Sequence, residues 1–520
     1  MYSFISGMTP DLRITQTPEV HISAGQSWRT AIGRGVDVLG INPLTQEVYM
    51  LGVNNPFYPS GIEPPLSYIQ VLTNKLHGLT SDMPSGYGAY PPPANNNDSG
   101  SSLDIGRAAS FTQTFFRYQA GRQLVPIINF NAGWPSSSWT HGPQGGLGNE
   151  GLVCNGQVSG STFTVNTVIS GTAQIGQQIM NNGIPLNIAG SSNYVTISSG
   201  PVPTVNGSVY TLSGNCSPVG PTTLTTMCGM WFAQGEYIKS IAAALPDPLL
   251  HLGSAVYRSV GWTQGGSLDG VGPGATVNDW QKMTAAYDAI NLPGTSTHPL
   301  IYFMGVRPTT SGQTGGTDDM IGSLQFVRAN ANGRIICTGS WYQWIYQGDT
   351  IHLTRYGTTR QGEVEGLARY ITMDEGVPAS PLWISLTQPV AHSGTTYSVP
   401  FDRPAGSFFT SGQMTLQTTM DDPSLPALPW PQYGFHVYRG AAELPLARDP
   451  VISGMNVILD IGAPALVGDT ITYAWNGTND PTGTHAAAGG GLMMAGPPSV
   501  FFPSLTINLW ALPFTATVTV

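Results

Sequence analysis

Two short segments of the sequence carry the residue types of a serine nucleophile and its base. Residues 21–28 read HISAGQSW, which places the hydroxyl of Ser27 just beyond a short apolar stretch. Residues 348–353 read GDTIHL, with Asp349 and His352 three positions apart. A serine needs a base to take its proton, and an imidazole base needs a carboxylate that fixes its tautomer and stabilises its charged form. The three side chains are therefore candidates for an acyl-transfer triad.

Each segment alone also has an ordinary structural explanation. A serine after a strand is commonly a turn or helix-cap residue, and an aspartate and a histidine before a helix are commonly surface and capping residues. Two further segments, NFNAGWPSSSW at 129–139 and VGWTQGGSLD at 260–269, each follow a predicted strand. Acyl transfer needs donors aimed at the developing oxyanion, and a glycine N–H or a side-chain amide at a strand end can serve. The joint occurrence of the four segments favours chemistry over four unrelated loops.

Short apolar runs alternate with segments of helical period in the regions that carry these four segments, which predicts a parallel sheet wound with helices. The predicted strands are 20–23, 124–130, 249–261, 299–306 and 334–337. The predicted helices are 108–120, 232–245, 277–290, 320–329 and 362–372. Open α/β sheets place their sites at the carboxyl ends of the strands. The fold class is therefore expected to be α/β, with the site at one edge of the parallel sheet.

Changes in composition and hydrophobic pattern divide the chain into four parts. Residues 1–15 are predicted to form an N-terminal arm, and residues 16–150 together with 226–376 an α/β domain. Residues 151–225 contain almost no charge and alternate in hydrophobicity, which predicts an inserted β-rich module. Residues 379–520 alternate again, with turn residues about every ten positions, which predicts a C-terminal β-sandwich.

Composition excludes several function classes. Charged residues make up 9% of the 520 residues, with 19 basic against 29 acidic, and no basic cluster is present to bind a phosphate backbone. Nucleic acid is therefore not expected as a partner. The last 40 residues are uncharged but interrupted by prolines, so strands are expected there, with no membrane span. Residues 1–19 lack a basic segment followed by an apolar one, so no signal peptide is expected. The four cysteines lack metal-site spacing, which predicts free buried thiols and no metal.

At the level of motifs the chain resembles the SGNH hydrolase superfamily, and within it the sialate O-acetylesterase-like carbohydrate esterases, including those of bacteriophage tail proteins. The Gly-Gln-Ser block at 25–27 and the Asp-x-x-His-Leu-Thr block at 349–354 are the most specific matches. The strand ending at 132–133 and the Trp-x-Gln-Gly block at 262–265 resemble two further family motifs. The resemblance covers residues 16–376 without the insertion, and it implies a flavodoxin-like parallel sheet with helices on both faces.

The resemblance also implies roles for individual residues. Ser27 would be the nucleophile, His352 the base and Asp349 the residue that orients it. The N–H groups of Ser27 and Gly133 and the side chain of Gln264 would line the oxyanion hole. No cofactor and no metal are implied.

The sequence departs from the family pattern at two positions. The glutamate that follows Gln-Gly in the family is Gly266 here, which removes a carboxylate beside Gln264. The first glycine of the family's Gly-Gly pair is Ala132, whereas Gly133 keeps the second position.

The expected function is therefore a phage tail-associated O-acetylesterase that removes acetyl groups from host surface polysaccharide. Expected partners are the acetylated polysaccharide, other virion tail proteins and further copies of the chain in a homo-oligomer, and the expected location is the virion. Two alternatives stay open. One is a structural or receptor-binding tail protein on a decayed scaffold, favoured by Gly266. The other is an arabinan- or xylan-directed acetylesterase of a free-living bacterium, which the absence of a signal peptide disfavours.

Overall fold

The structure is a computed structural model of the 520-residue chain. It describes residues 19–25, 48–51, 69–71, 105–122, 125, 127–133, 152–173, 177–181, 184–190, 195–227, 256–263, 273–289, 292, 294–306, 318–330, 333–344, 353, 355–419, 421, 430–475 and 489–520.

The described chain is a mixed α/β protein with more strand than helix. Its strands are β1 Glu19–Gly25, β2 Val48–Leu51, β3 Ile69–Val71, β4 Ile127–Gly133, β5 Val153–Ser170, β6 Gln178–Asn181, β7 Ile184–Pro185, β8 Ile197–Ser199, β9 Val209–Met227, β10 Val256–Thr263, β11 Ile301–Val306, β12 Ile335–Ser340, β13 Trp383–Ile384, β14 Ala391–Ser393, β15 Thr396–Asp402, β16 Met414–Leu416, β17 Phe435–Arg439, β18 Ala442–Leu444, β19 Val451–Ser453, β20 Asn456–Asp460, β21 Thr470–Tyr473, β22 Leu492–Pro498, β23 Thr506–Trp510 and β24 Phe514–Thr517. Its α-helices are α1 Ile105–Gln119, α2 Pro273–Ala289, α3 Asp318–Ala329 and α4 Arg355–Arg369, and α4 continues into the π-helical turn Tyr370–Asp374. Short 3₁₀ turns lie at Ser407–Phe409 and Pro431–Gly434.

The largest sheet has the order β12-β11-β10-β1-β4-β2-β3. All its neighbouring strands are parallel except β2 and β3, which are antiparallel. Every residue of β12 is buried, and so are all but the first of β11, as expected for strands covered on both faces. If β1, β4, β10, β11 and β12 are numbered 1 to 5 along the chain, their order across the sheet is 2-1-3-4-5. This order is found in doubly wound sheets. The predicted α/β sheet is confirmed at this level.

Helices cover both faces of this sheet, as β11 makes clear. The hydroxyl of Tyr302 donates to the carbonyl of Thr284 in α2 at 2.9 Å. The ring of the next residue, Phe303, lies under the guanidinium of Arg369 in α4, 5.9 Å from its carbon. Successive residues of a strand point to opposite faces, so α2 and α4 lie on opposite sides. The T-shaped ring contact between Trp280 and Phe326, at 5.5 Å, shows that α3 packs beside α2.

The predicted strands and helices fall on observed ones, except that the predicted helix 232–245 lies outside the described residues. The main difference is α4, which begins at Arg355 rather than at 362. Its first two turns are polar in sequence but buried, with Arg360 and Gln361 at 2% and 0% exposure. Some of these polar groups bond to residues outside the helix, as when Gln361 Nε2 donates to the Thr338 hydroxyl at 3.1 Å. None of the described helices is long and apolar enough to cross a membrane.

A second sheet, β5-β9-β6-β7 with β8 on β9, is formed by residues 152–227. Its two ends are joined, because Leu152 and Thr226 exchange two hydrogen bonds of 2.8 and 2.9 Å. Its buried apolar cluster is drawn from residues 152–224. The whole segment contains no Asp, Glu, Lys, Arg or His. The last strand runs to Met227, two residues past the predicted limit, and separate folding of this segment stays a prediction.

The C-terminal region consists of antiparallel strands in three sheets, ordered β13-β15-β20-β19, β16-β22-β23 and β18-β17-β21-β24. Its core continues into the α/β part. Tyr342, just after β12, donates to the carbonyl of Ala511 at 2.6 Å and lies 3.0 Å from the hydroxyl of Tyr473. The same ring makes T-shaped contacts with Trp430 and Trp510 at 5.7 and 6.4 Å. The β-rich character of the region is confirmed, whereas its division into a separate β-sandwich stays a prediction.

Candidate active site

The carboxyl ends of three neighbouring parallel strands form the edge at which the candidate site is expected. The central strand β1 pairs with β4 on one side and β10 on the other. In both pairings the last residues of the strands are in register. Gly25 of β1 lies opposite Gly133 of β4 and opposite Thr263 of β10. Neighbouring strands are about 5 Å apart, so these three ends span about 10 Å of one sheet edge. This is also the point where the strand order reverses, which is the usual ligand position in open α/β sheets.

The structure describes one of the five predicted site residues. Gly133 is the last residue of β4 and lies beside Gly25. Ser27 follows β1 by two positions and Gln264 follows β10 by one, and both lie outside the described residues, as do Asp349, His352 and Gly266. The described strand ends therefore bring the Gly25, Gly133 and Thr263 positions together, whereas the triad itself stays a prediction.

The segment that contains Asp349 and His352 is bounded by two buried residues. Trp344 is 1% exposed, Leu353 is 3% exposed, and both belong to the same apolar cluster. A Cβ at Gly357 would lie 3.0 Å from the Cβ of Trp344 and 3.3 Å from that of Leu353, so the first turn of α4 packs directly on both. The ends of the predicted catalytic segment are thus held by the same helical turn.

Two glycines allow α4 to approach α1 closely. A Cβ at Gly362 would overlap the Cβ of Ala108, and a Cβ at Gly366 would overlap the carbonyl oxygen of Ala109. Helix α1 in turn contacts β1 and β4, whereas α4 contacts β11 and β12. The close contact therefore ties the helix that follows the Asp349 and His352 segment to the helix over the central strands.

A hydroxyl, an imidazole and a carboxylate also meet inside the sheet, away from its edge. His21 Nδ1 lies 2.5 Å from Ser259 Oγ, because the two residues are paired in the β1–β10 register. On the other side of the ring, His21 Nε2 lies 3.8 Å from Glu19 Oε2. His21 and Ser259 are fully buried, and His21 is about 13 Å along the strand from Gly25. An ester cannot reach Ser259 there, so we assign this group a structural role.

The environment of this buried group keeps its imidazole neutral. Burial lowers the pKa of His21 from 6.5 to about 4; the charge of Arg369 adds to this lowering and Glu19 opposes it. Burial alone would raise the pKa of Glu19, but its interaction with His21 and the charge of Arg117 outweigh burial and bring that pKa to about 2. At neutral pH Glu19 is therefore ionised as it pairs with Arg117, beside an uncharged His21.

Arg117 joins three distant parts of the α/β core. Its Nη2 donates to Glu19 Oε2 and its Nε to Asp374 Oδ1, both at 2.7 Å. Gln113 donates to the other Asp374 oxygen at 3.0 Å. Asp374 closes the π-helical turn after α4, so these bonds connect β1, α1 and the end of α4. Removal of one partner from such a buried pair costs about 3–5 kcal/mol.

Hydrophobic periodicity in the sequence does not reveal the buried arginines of the helices. Arg117, Arg360 and Arg369 lie in helices and are at most 3% exposed, each paired with a carboxylate. The signal in the sequence is rarity, since only 9% of residues are charged. In such a chain each charged residue within a predicted helix is a candidate for a buried ion pair.

The described cysteines are not candidate nucleophiles. Cys154, Cys216 and Cys337 are free and buried, whereas Cys228 lies outside the described residues. Burial raises the pKa of all three, to about 11 for Cys154 and about 12 for Cys337. The reactive form of a cysteine is the thiolate, so these three are unreactive at neutral pH.

Comparison with known proteins gives distant structural likenesses. No protein-family model matches the chain, and no curated protein matches it. A solved structure of a protein from Arabidopsis thaliana is similar with a TM-score of 0.32 and 9% identity, over 68% of this chain and 97% of that one. The crystal structure of NanS is similar with a TM-score of 0.30 and 12% identity, over 63% of this chain and 78% of that one. With likenesses this distant, the candidate site rests on the residues and geometry of this chain.

Proposed function

We propose that the protein is a carbohydrate O-acetylesterase of the SGNH type, acting on host surface polysaccharide as part of a phage tail. The observation that carries the proposal is the level alignment of Gly25, Gly133 and Thr263 at one sheet edge. Three of the four motif segments identified in the sequence begin within a few residues of these positions. Only tertiary structure brings them together, because Gly25 and Thr263 lie far apart in the chain.

In the proposed mechanism the Ser27 hydroxyl oxygen attacks the acetyl carbonyl carbon while His352 takes the hydroxyl proton. Asp349 holds the imidazole and stabilises its charged form. The resulting oxyanion accepts hydrogen bonds from the N–H groups of Ser27 and Gly133 and from the Gln264 amide. The bond to the sugar oxygen then breaks, and that oxygen receives the proton from His352. Water attacks the acetyl-enzyme with His352 again as base, releasing acetate and restoring Ser27.

Ser259 and the three described cysteines, which are possible rival nucleophiles, are buried away from substrate. Ser259 is buried within the sheet against His21, and the three described cysteines are held as thiols. Both facts support the sheet edge as the position of the chemistry.

The biological setting is part of the same proposal. The partners would be the acetylated polysaccharide, other tail proteins and further copies of the chain in a homo-oligomer, and the protein would be located in the virion. The chain's resemblance to phage esterases supports this setting, as does its combination of an α/β part with β-rich regions.

One observation favours a second candidate, a receptor-binding or structural tail protein without catalysis. Gly266 stands where the family pattern has a glutamate, so the carboxylate that this pattern places two positions after Gln264 is missing from the sequence. A scaffold that has lost catalysis can keep its sugar-binding surface.

Hydrolysis of p-nitrophenyl acetate and of acetylated polysaccharide tests the proposal. Ser27→Ala and His352→Ala should each lower kcat by about 10⁴-fold or more, without unfolding the protein. The matched control is Ser259→Ala, which removes a serine that also contacts a histidine and should keep wild-type turnover per folded molecule. Wild-type protein without turnover on both substrates would overturn the esterase and favour the second candidate. Turnover that survives Ser27→Ala would exclude the assigned nucleophile.

A further inference from the structure

A buried carboxylate of the C-terminal region connects three elements around the predicted catalytic segment. The side chain of Asp421 is 4% exposed. Its Oδ2 accepts from Trp344 Nε1 at 3.1 Å and from Arg360 Nε at 2.8 Å. Its Oδ1 accepts from Asn508 Nδ2 at 2.7 Å and from Arg360 Nη2 at 3.3 Å. Its backbone carbonyl accepts from the hydroxyl of Tyr356 at 2.7 Å.

These contacts fall on both sides of residues 345–352. Trp344 directly precedes the segment, and Tyr356 lies in the first turn of the helix that follows it. The same first turn packs on Trp344 and Leu353 through Gly357. The Asp421 carboxylate joins Trp344, before the segment, to Arg360 in the helix after it, and the close packing at Gly357 joins Trp344 to Leu353.

A second carboxylate fastens the same helix to the C-terminal region. Glu363 Oε1 accepts from the Ser499 hydroxyl and from the backbone N–H of Val500, both at 2.6 Å. Its other oxygen pairs with Arg360, whose guanidinium also lies over the ring of Phe502 at 5.9 Å. The helix is thus held by the C-terminal strands as well as by the parallel sheet.

We propose that Asp421 is a positioning residue for the Asp349 and His352 segment, so that the C-terminal region completes the esterase site. This inference rests on the proposed function. A displacement of about 1 Å between catalytic groups can cost 10²-fold in rate. A carboxylate that fixes both ends of an eight-residue segment therefore acts on kcat without touching substrate.

The test compares Asp421→Asn with Asp469→Asn. Asp469 is the matched control, since it is a buried carboxylate of the same region whose hydrogen bonds go to Arg439, Tyr397 and the Leu466 N–H. Asp421→Asn should lower kcat by about tenfold or more with little change in KM. A loosened Asp349 should also move the acid limb of the pH profile of kcat/KM to lower pH, because a nearby carboxylate raises the pKa of an imidazole. Asp469→Asn should change neither.

Hydrogen exchange of the peptide covering 341–356 gives a readout that needs no activity. Exchange should rise in Asp421→Asn and stay at the wild-type level in Asp469→Asn. Inactive wild-type protein with this exchange pattern would overturn the esterase proposal while leaving Asp421 as the residue that fixes the segment. Active wild-type protein whose kcat and pH profile survive Asp421→Asn would overturn the positioning role, whatever the exchange.

A second variant decides the question if Asp421→Asn does not fold. Trp344→Phe removes the Nε1–H that donates to Asp421 Oδ2 and keeps an aromatic ring in the apolar cluster. It should lower kcat in the same direction by a smaller factor and raise exchange of the same peptide. Unchanged kcat and unchanged exchange in a folded Trp344→Phe protein would overturn the inference.

Discussion

Acidification from pH 7 to pH 5 should destabilise the α/β core through one buried imidazole. In the folded protein His21 has a pKa of about 4, against 6.5 for an unperturbed histidine. Between these two values the unfolded chain binds a proton that the folded protein does not. The contribution of His21 to stability is therefore fully present above pH 6.5 and is lost as the pH falls towards 4.

The size of the loss follows from the two pKa values. One unit of pKa difference corresponds to about 1.4 kcal/mol, so the complete effect of His21 is about 3 kcal/mol. Between pH 7 and pH 5 the linkage relation gives about 2 kcal/mol of this amount. Glu19 hardly contributes in that window, because its folded pKa is about 2 and its ordinary value is 4.5. Asp374 has the opposite sign, since burial raises its pKa and the folded protein then binds its proton more readily.

Urea denaturation at pH 7 and pH 5, followed by tryptophan fluorescence, measures the effect. In His21→Asn an amide replaces the Nδ1 contact with Ser259 and cannot titrate, so this variant should lose about 2 kcal/mol less than wild type between the two pH values. His298→Asn, at an exposed position, is the matched control for the same substitution. An equal pH dependence in wild type and His21→Asn would refute the assignment of a neutral, buried imidazole.

Four further changes test the fold and the site. Gly366→Leu should lower the free energy of unfolding by about 2 to 3 kcal/mol in urea denaturation, because its side chain would overlap the facing helix. Gly274→Ala, whose Cβ would meet no atom within 4 Å, should stay within about 0.5 kcal/mol of wild type. Replacement of residues 152–225 by a short Gly-Ser linker should preserve ester hydrolysis, because the ends of this segment are hydrogen bonded to each other; loss of the circular dichroism signal of the remaining chain would contradict this. Gly266→Glu should keep or raise kcat by restoring a carboxylate beside the oxyanion hole, and a folded, equally stable variant with a clearly reduced kcat would show that the glycine does not limit the wild type.

Local sequence predicts the parallel strands because each is an apolar run that ends where the hydrophobic pattern changes. It does not predict β2 and β3, which are four and three residues long and too short to show a period. The order of β4, β1 and β10 also has no local signature, since it depends on how helices pack on the sheet. The level alignment of Gly25, Gly133 and Thr263 could therefore be expected only from the general behaviour of parallel sheets.

The start of α4 illustrates the limit of periodicity. Val364, Leu367, Ala368 and Ile371 share one face, and all are buried as that pattern predicts. The polar residues before them resemble a loop because the partner of Arg360, Asp421, is 61 positions away. A helix buried on its charged side cannot be distinguished from an exposed one until the covering strands are in place.

The sheet formed by residues 152–227 should respond to pH and salt differently from the α/β core. With no Asp, Glu, Lys, Arg or His, it has no side chain that changes charge between pH 3 and pH 8. Its folding free energy should therefore be nearly independent of pH and of salt concentration. The α/β core contains the buried side chains of Glu19, His21 and Arg117, so its folding free energy should depend on pH. A progressive acid titration should accordingly separate the two, with the core melting while the uncharged sheet persists as a protease-resistant fragment.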